Sequence, residues 1–287
     1  MIWLVGNRGM LGAEVEDILR QGQVSYIASD KEVDITNAEQ LQRFAKPRAI
    51  DWIINCAAYT AVDKAEEEPI IAFKINGEGV KNLAELAKNK KSRLIHISTD
   101  YVFDGTKIGE YTESDTPNPL GVYGKSKLLG EKNIQETIDE FFIIRISWLY
   151  GRYGANFVHT MQRLFREREE IGVVADQLGS PTSAVDIAQL LVKIVGDDSK
   201  KYGIYHFSNE GVTSWYDFAC EIYRLSREIE GKEVAIKRLA SVDYPTKAQR
   251  PKNSAMSKKK IRKEIGAEIR PWKQSLSDYL LSNSSSY

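Results

Sequence analysis

Tyr123 and Lys127 stand four residues apart in "GVYGKSKLLGEK", a stretch that opens a helical pattern after a loop holding two prolines. Residues at that spacing are offset by only about 40° and roughly 6 Å along a helix, so their side chains share a face. A phenol ordinarily keeps its proton until pH ~10. A cation about 4 Å away in a partly shielded site contributes on the order of 4 kcal/mol, or roughly three pKa units. That would let Tyr123 exchange a proton with a substrate oxygen. In a chain with 14 tyrosines such a pair arises roughly once by chance, so other features must support it.

Two do. "WLVGNRGMLGAEVEDIL" sets Gly6, Gly9 and Gly12 between an apolar strand at the start of the chain and a helical pattern. Such glycines allow a tight turn, close approach of backbone to a pyrophosphate, and close helix–strand packing. The helix N-terminus then offers unpaired N–H groups to phosphates. "HISTDYVFDG", His96–Gly105, runs from a strand into a loop and would place the Ser98 and Thr99 hydroxyls at a strand's carboxyl end, where open α/β sheets bind ligands. Asp30, at the end of the second strand pattern, favours a free ribose 2′-hydroxyl, while Arg8 and Lys31 suit a 2′-phosphate. Either NADPH or NADH is expected to serve, with NADPH ahead.

The elements that must position these groups alternate. Apolar runs at Ile2–Val5, Ser25–Ala28, Asp51–Asn55, Arg93–Ser98 and Phe142–Ser147 are separated by helical patterns at about 10–22, 36–46, Ile70–Asn89 and Tyr123–Phe141. This rhythm predicts βαβ units and a parallel sheet covered on both faces. Beyond Trp148 the elements shorten. The expected architecture is α/β, a doubly wound parallel sheet with a smaller C-terminal α/β domain for substrate. Residues 1–147 plus about 171–205 form the first unit, and about 148–170 with 206–287 the second.

Composition narrows the function. Lys plus Arg and Asp plus Glu number 40 each, so no global field recruits nucleic acid or an anionic membrane. Lys258–Lys260 with Arg262 and Lys263 reads as the solvated face of a short helix. The most apolar stretch, Phe141–Tyr150, is broken by Arg145 and too short to span a bilayer. Two cysteines, Cys56 and Cys220, are too few for a disulfide framework and, with no secretory signal expected, fit a reducing cytoplasm. His96, His159 and His206 are scattered, so no metal is expected.

Taken together, the glycine loop, "NCAA" (Asn55–Ala58), "STDYVFDG" and "YGKSKLLGE" resemble the extended short-chain dehydrogenase/reductase superfamily, with its Rossmann-type fold. "AAYTAVDKAE", "RISWLYG", "GSPT" and "RPKNS" narrow the likeness to the dTDP-4-dehydrorhamnose reductase family, from residue 1 to about 280. The resemblance implies NAD(P)H-dependent reduction of the 4-keto group of dTDP-6-deoxy-L-lyxo-4-hexulose to dTDP-L-rhamnose. Tyr123 would be the proton donor, Lys127 would bind ribose and lower the tyrosine's pKa, and Thr99 would hydrogen-bond the reacting oxygen. It implies cofactor contacts from Gly6, Arg8, Gly9, Met10, Leu11, Gly12, Asp30, Asp34, Ile35, Cys56, Ala57, Ala58, Tyr59 and Lys127. Substrate contacts would come from Thr60, Val62, Ser98, Thr99, Tyr101, Tyr123, Trp148 and Arg250, with Gly179–Thr182 near the nucleotide. Some members of that family form a magnesium-linked dimer through glutamates. Glu14 matches one such position, but Val185 replaces a second acidic residue and the "SNSSSY" tail ends in Tyr287, so neither metal nor that dimer is carried over. A monomer or homodimer acting on a nucleotide sugar is expected. Two other readings share the motifs: a non-catalytic regulator resembling the methionine adenosyltransferase β subunit, and a reductase or epimerase for another nucleotide-linked deoxysugar.

Overall fold

A computed structural model describes residues 1–230 and 233–284. Six parallel strands form one sheet, in the order Gly203–Phe207, Phe141–Ile146, Arg93–Thr99, Trp52–Asn55, Ile2–Val5 and Tyr26–Ser29. Their Ile-, Val- and Leu-rich runs suit a sheet buried on both faces. Helices Met10–Gln21 and Ala184–Gly196 cover one face through Leu11, Val15, Leu19, Ile187 and Leu191. Helices Ala38–Ala45, Val80–Lys90 and Val122–Thr137 cover the other through Leu41, Leu83 and Ile134. The architecture is the Rossmann-type doubly wound sheet. Chain direction across the sheet reverses between Ile2–Val5 and Trp52–Asn55, and ligands of open α/β sheets bind at the carboxyl ends of strands beside such a reversal.

A further core lies beyond Trp148. Phe165, Phe218, Ile222 and Leu276 from helices Phe157–Glu167, Trp215–Glu230 and Trp272–Ser284 pack with Ile171 and Val173. Those two residues belong to strand Glu170–Val174, which pairs in parallel with Ala235–Leu239 in its own small sheet. The segment just after 170, expected with the first unit, thus packs with the later helices, while Ala184–Gly196 and Gly203–Phe207 serve the large sheet. The reason is local: "EIGVV" alternates buried and exposed positions, as one face of a small sheet requires.

The long helix expected over Ile70–Asn89 divides into Pro69–Phe73, a π-helical turn Lys74–Gly79, and Val80–Lys90. The turn orients Asn76, whose amide bonds both backbone groups of Tyr59 and the Ser126 hydroxyl. Lys258 departs from the solvated face expected of its basic run: it is buried, 3.6 Å from Glu110 and 3.8 Å from Glu210. The tail expected from Ser282 begins inside a helix, and Ser285–Tyr287 lie outside the described residues. Among the described residues no helix is long and apolar enough to cross a membrane.

Candidate active site

The first cavity, about 690 Å³, opens at the carboxyl ends of the first three strands. Gly6, Arg8, Gly9, Asp30, Asp34, Ile35, Cys56, Ala57 and Ala58 line it, joined by Lys31. Gly6 adopts φ 80°, and a Cβ there would lie 2.6 Å from the Ala57 nitrogen. A Cβ on Gly12 would lie 2.0 Å from the Gly6 carbonyl oxygen, so the helix packs against the turn only without one. No side chain caps the helix that Gly9 opens, leaving its first N–H groups for an anion. A turn that only glycine fits, a bare helix N-terminus and an exposed Arg8 guanidinium 3.7 Å from Glu32 fit a dinucleotide diphosphate and its ribose substituents. Tyr59 does not line this cavity. Its hydroxyl donates to Glu68 at 2.9 Å, and Asn76 holds its backbone.

A second cavity, about 390 Å³, shares Gly9, Cys56 and Ala58 with the first. Met10, Leu11, Thr60, Val62, Ser98, Thr99, Tyr101, Tyr123, Lys127 and Trp148 line it. Tyr123 and Lys127 enter from the first turns of helix Val122–Thr137. Gly124 lets this helix press against the loop after the fourth strand, since a Cβ there would lie 2.2 Å from the Tyr101 carbonyl oxygen. The helix begins at Gly121, which has no capping side chain of its own; Glu66, the C-cap of the short helix Val62–Ala65 that follows "NCAA", accepts from the Val122 N–H at 2.8 Å instead. The Tyr123 ring meets Tyr101 edge-on, with centroids 5.6 Å apart.

Electrostatics here differ from the expectation that Lys127 lowers the phenol's pKa. Burial pushes Tyr123 up to about 12, opposed by the Thr99 hydroxyl and reinforced by Asp100. Lys127 is fully buried and turned toward the sheet: Nζ donates to the Ile97 carbonyl at 2.6 Å and lies 3.3 Å from His96 Nε2. Burial lowers its pKa to about 8, against the pull of Glu131 and Cys56. Sharing a helix face brings the two side chains to one cavity, but the strand-end carbonyl captures the longer one.

Thr99 Oγ1 donates to Asp100 Oδ1 at 3.0 Å and accepts from the Tyr101 N–H at 3.2 Å. Ser98 projects to the opposite side, as alternation along a strand requires, and its hydroxyl donates to Glu131 at 2.5 Å. Glu131 is also ion-paired with buried Arg145, at 2.6 Å. Asp100 is the residue the sequence reading passed over. It lines the cavity, is 2% exposed, and its Oδ2 has no hydrogen-bond partner. Burial pushes its pKa up to about 6. The signal was present in "STD", a carboxylate at the end of an otherwise apolar strand.

Trp148 stacks on Trp215, and Gly179 makes room beneath it: a Cβ there would lie 2.6 Å from the indole. Arg250 lines a neighbouring cavity of about 310 Å³ with Trp215, Gln177 and Tyr244. Its guanidinium donates to both Asp63 oxygens, at 2.8 and 3.2 Å, and holds that carboxyl below its ordinary pKa. Glu14 is buried and receives the Arg152 guanidinium on both oxygens. Among the described residues no group of three or more His, Cys, Asp or Glu side chains is arranged to hold a metal ion.

A family profile described as the RmlD substrate binding domain matches residues 1–284. The chain is 42% identical to the dTDP-4-dehydrorhamnose reductase of Aggregatibacter actinomycetemcomitans over 281 residues, covering 95% of this chain and 96% of that protein. A crystal structure of a dTDP-4-dehydrorhamnose reductase from Clostridium acetobutylicum superposes with a TM-score of 0.93 at 40% identity, covering 99% of each chain. The Bacillus anthracis dTDP-4-dehydrorhamnose reductase, solved in complex with NADP, has a TM-score of 0.92 at 38% identity, covering 98% of each chain. The chain belongs to the dTDP-4-dehydrorhamnose reductase family.

Proposed function

We propose that this protein reduces the 4-keto group of dTDP-6-deoxy-L-lyxo-4-hexulose with NADPH, giving dTDP-L-rhamnose. The observation that carries the reading is the convergence of Tyr123, Thr99 and Lys127 on a cavity that shares Gly9, Cys56 and Ala58 with the one at the glycine turn. When bound, the reduced nicotinamide supplies a hydride to the carbonyl carbon. Tyr123 gives its proton to the oxygen that becomes the C4 hydroxyl, and the Thr99 hydroxyl, turned away from Asp100, would donate a hydrogen bond to the same oxygen. A phenol held near 12 arrives protonated at neutral pH, as a proton donor must. Lys127, which lines the same cavity, would hold ribose hydroxyls of the cofactor.

Asp100, with one carboxylate oxygen unpartnered at the cavity wall, accepts from sugar hydroxyls. Trp148 offers a flat wall to the apolar face of a deoxysugar. Arg250, oriented by Asp63, faces the diphosphate, for which a guanidinium fork is suited. Arg8 favours NADPH over NADH because its exposed guanidinium, 3.7 Å from Glu32, stands where it can meet a 2′-phosphate on the side of Asp30 and Lys31.

Purified protein given NADPH and the keto sugar nucleotide should consume the absorbance of the reduced nicotinamide; no fall overturns the reading. Tyr123→Phe should keep NADPH affinity and lose roughly 10²–10⁴-fold in kcat. Normal turnover in that variant removes the phenol as the acid.

A further inference from the structure

Beneath Lys127 lies a pair of buried side chains to which the reaction assigns no task. Asn55 and His96 sit opposite each other on adjacent parallel strands, both out of contact with solvent. Asn55 Oδ1 accepts from the Ala57 backbone N–H at 3.0 Å. That N–H can only donate, so the amide orientation is fixed and Nδ2 faces His96 Nδ1 at 3.0 Å. An amide NH₂ likewise only donates. Nδ1 must therefore accept, and the uncharged imidazole carries its proton on Nε2. Nε2 is the atom 3.3 Å from Lys127 Nζ. An ammonium has no lone pair and would set N–H against N–H; an amine can accept the bond.

We propose that His96 is a positioning residue whose tautomer, fixed by Asn55, turns its Nε2–H toward Lys127 Nζ and weakens that lysine's hold on its proton. The inference deepens the reductase reading, on which the role of Lys127 rests. The other groups facing Nζ agree with it or oppose it only in part. Ile97 offers a carbonyl, which either form of the lysine can donate to. Cys56 from the third strand end is a thiol pushed up to about 12 by burial, hence uncharged at neutral pH. Tyr123 on the same helix is an uncharged phenol. Glu131, one turn further on, pulls toward the ammonium, but its carboxylate already receives Arg145 from the fifth strand and the Ser98 hydroxyl. Burial itself disfavours the charge, and His96, also buried, has its pKa held well below the usual histidine value and stays neutral beside it. Lys127 is thereby a group that exchanges its proton with its surroundings rather than a permanently charged post.

The test reads the lysine directly. Protein carrying ¹³C-labelled lysine is titrated by NMR, with the Lys127 Cε signal identified by its loss in Lys127→Met. The wild-type signal should turn over at least one pH unit below the ordinary lysine value of ~10.4. His96→Phe keeps a ring in the space but removes the Nε2 donor, and should move the midpoint up by at least half a unit. Asn55→Asp keeps the acceptor for Ala57 but offers a second oxygen to Nδ1–H; the reversed tautomer and the added carboxylate charge should together move the midpoint up further. A wild-type Lys127 titrating with the other lysines, or an unmoved midpoint in His96→Phe, overturns the proposal. Should His96→Phe not accumulate folded, an unmoved midpoint in Asn55→Asp does the same. No substrate enters this measurement, so wild-type protein with the expected titration but no turnover would overturn the reductase reading alone.

Discussion

Trp148 lies flat against Trp215, ring centroids 3.7 Å apart and planes 13° off parallel, and holds that position with a left-handed backbone, φ 46°. A non-glycine residue in that region costs on the order of 1 kcal/mol, so the stack is bought with strain at the wall of the reaction cavity. Trp148→Ala should raise KM for the sugar nucleotide at least tenfold and leave NADPH affinity unchanged. Trp148→Gly should lose the same affinity yet be more stable than the alanine variant by about 1 kcal/mol, because glycine accepts positive φ. Steady-state kinetics with urea denaturation separate the two effects, and equal stability of the variants would remove the strain argument.

Asp100 carries a pH signature. Its folded pKa of about 6 stands above the ordinary carboxylate value of 3.8. A carboxyl raised on folding gives a stability term that is full below the unfolded value and is lost as pH rises through the folded one. The difference corresponds to about 3 kcal/mol at neutral pH. Asp100→Asn should therefore be more stable than wild type at pH 7.5, with the gain shrinking toward pH 4. A gain independent of pH would contradict the burial argument. If the ionised carboxylate also holds the sugar, wild-type kcat/KM should fall below pH ~6, and the variant should lose that limb along with most of its activity.

Arg8 projects beside Asp30 and Lys31 with only a loose 3.7 Å contact to Glu32. Arg8→Ala should weaken NADPH binding roughly tenfold, the loss of one charge-assisted contact, while NADH binding stays within about twofold. Fluorescence titration of both cofactors checks this, and equal losses would place the 2′-phosphate elsewhere.

Glu131 and Arg145 form an ion pair with both partners almost wholly buried. Removing one partner strands the other charge, so Glu131→Gln or Arg145→Met alone should cost about 3–5 kcal/mol. The double variant should recover most of that. Urea midpoints of all four proteins close the cycle, and additive losses would show that the charges are not coupled.

Much of this arrangement was legible because it is local. Glycine spacing fixes the turn at Gly6–Gly12, strand alternation fixes the sheet, and the four-residue spacing brings Tyr123 and Lys127 to one cavity. What escaped depends on partners distant in sequence. Lys127 turns to Ile97 and His96 rather than only toward Tyr123, because a strand-end carbonyl lies within reach. Tyr59 is held away from the cofactor cavity by Asn76, which the π-helical turn rotates into place. Ser98 and Thr99 are neighbours in sequence and both line the reaction cavity, but their hydroxyls are held by different carboxylates, Glu131 and Asp100. Asp100 was hidden for the opposite reason: a carboxylate in a loop looks solvated until the fold removes its water.

The Glu66 carboxylate that receives the Val122 N–H spans 56 positions of sequence. A helix normally nucleates from its own first turn, with a cap supplied nearby. Here the turn carrying Tyr123 gains its cap only once the loop after the third strand has docked. The two segments therefore share one opening event, and amide exchange in residues 122–125 should follow that of residues 60–66 rather than that of the remaining helix. Since Thr60 and Val62 in that loop line the reaction cavity, a ligand that steadies the loop would also lower the rate at which the acid-bearing turn unwinds.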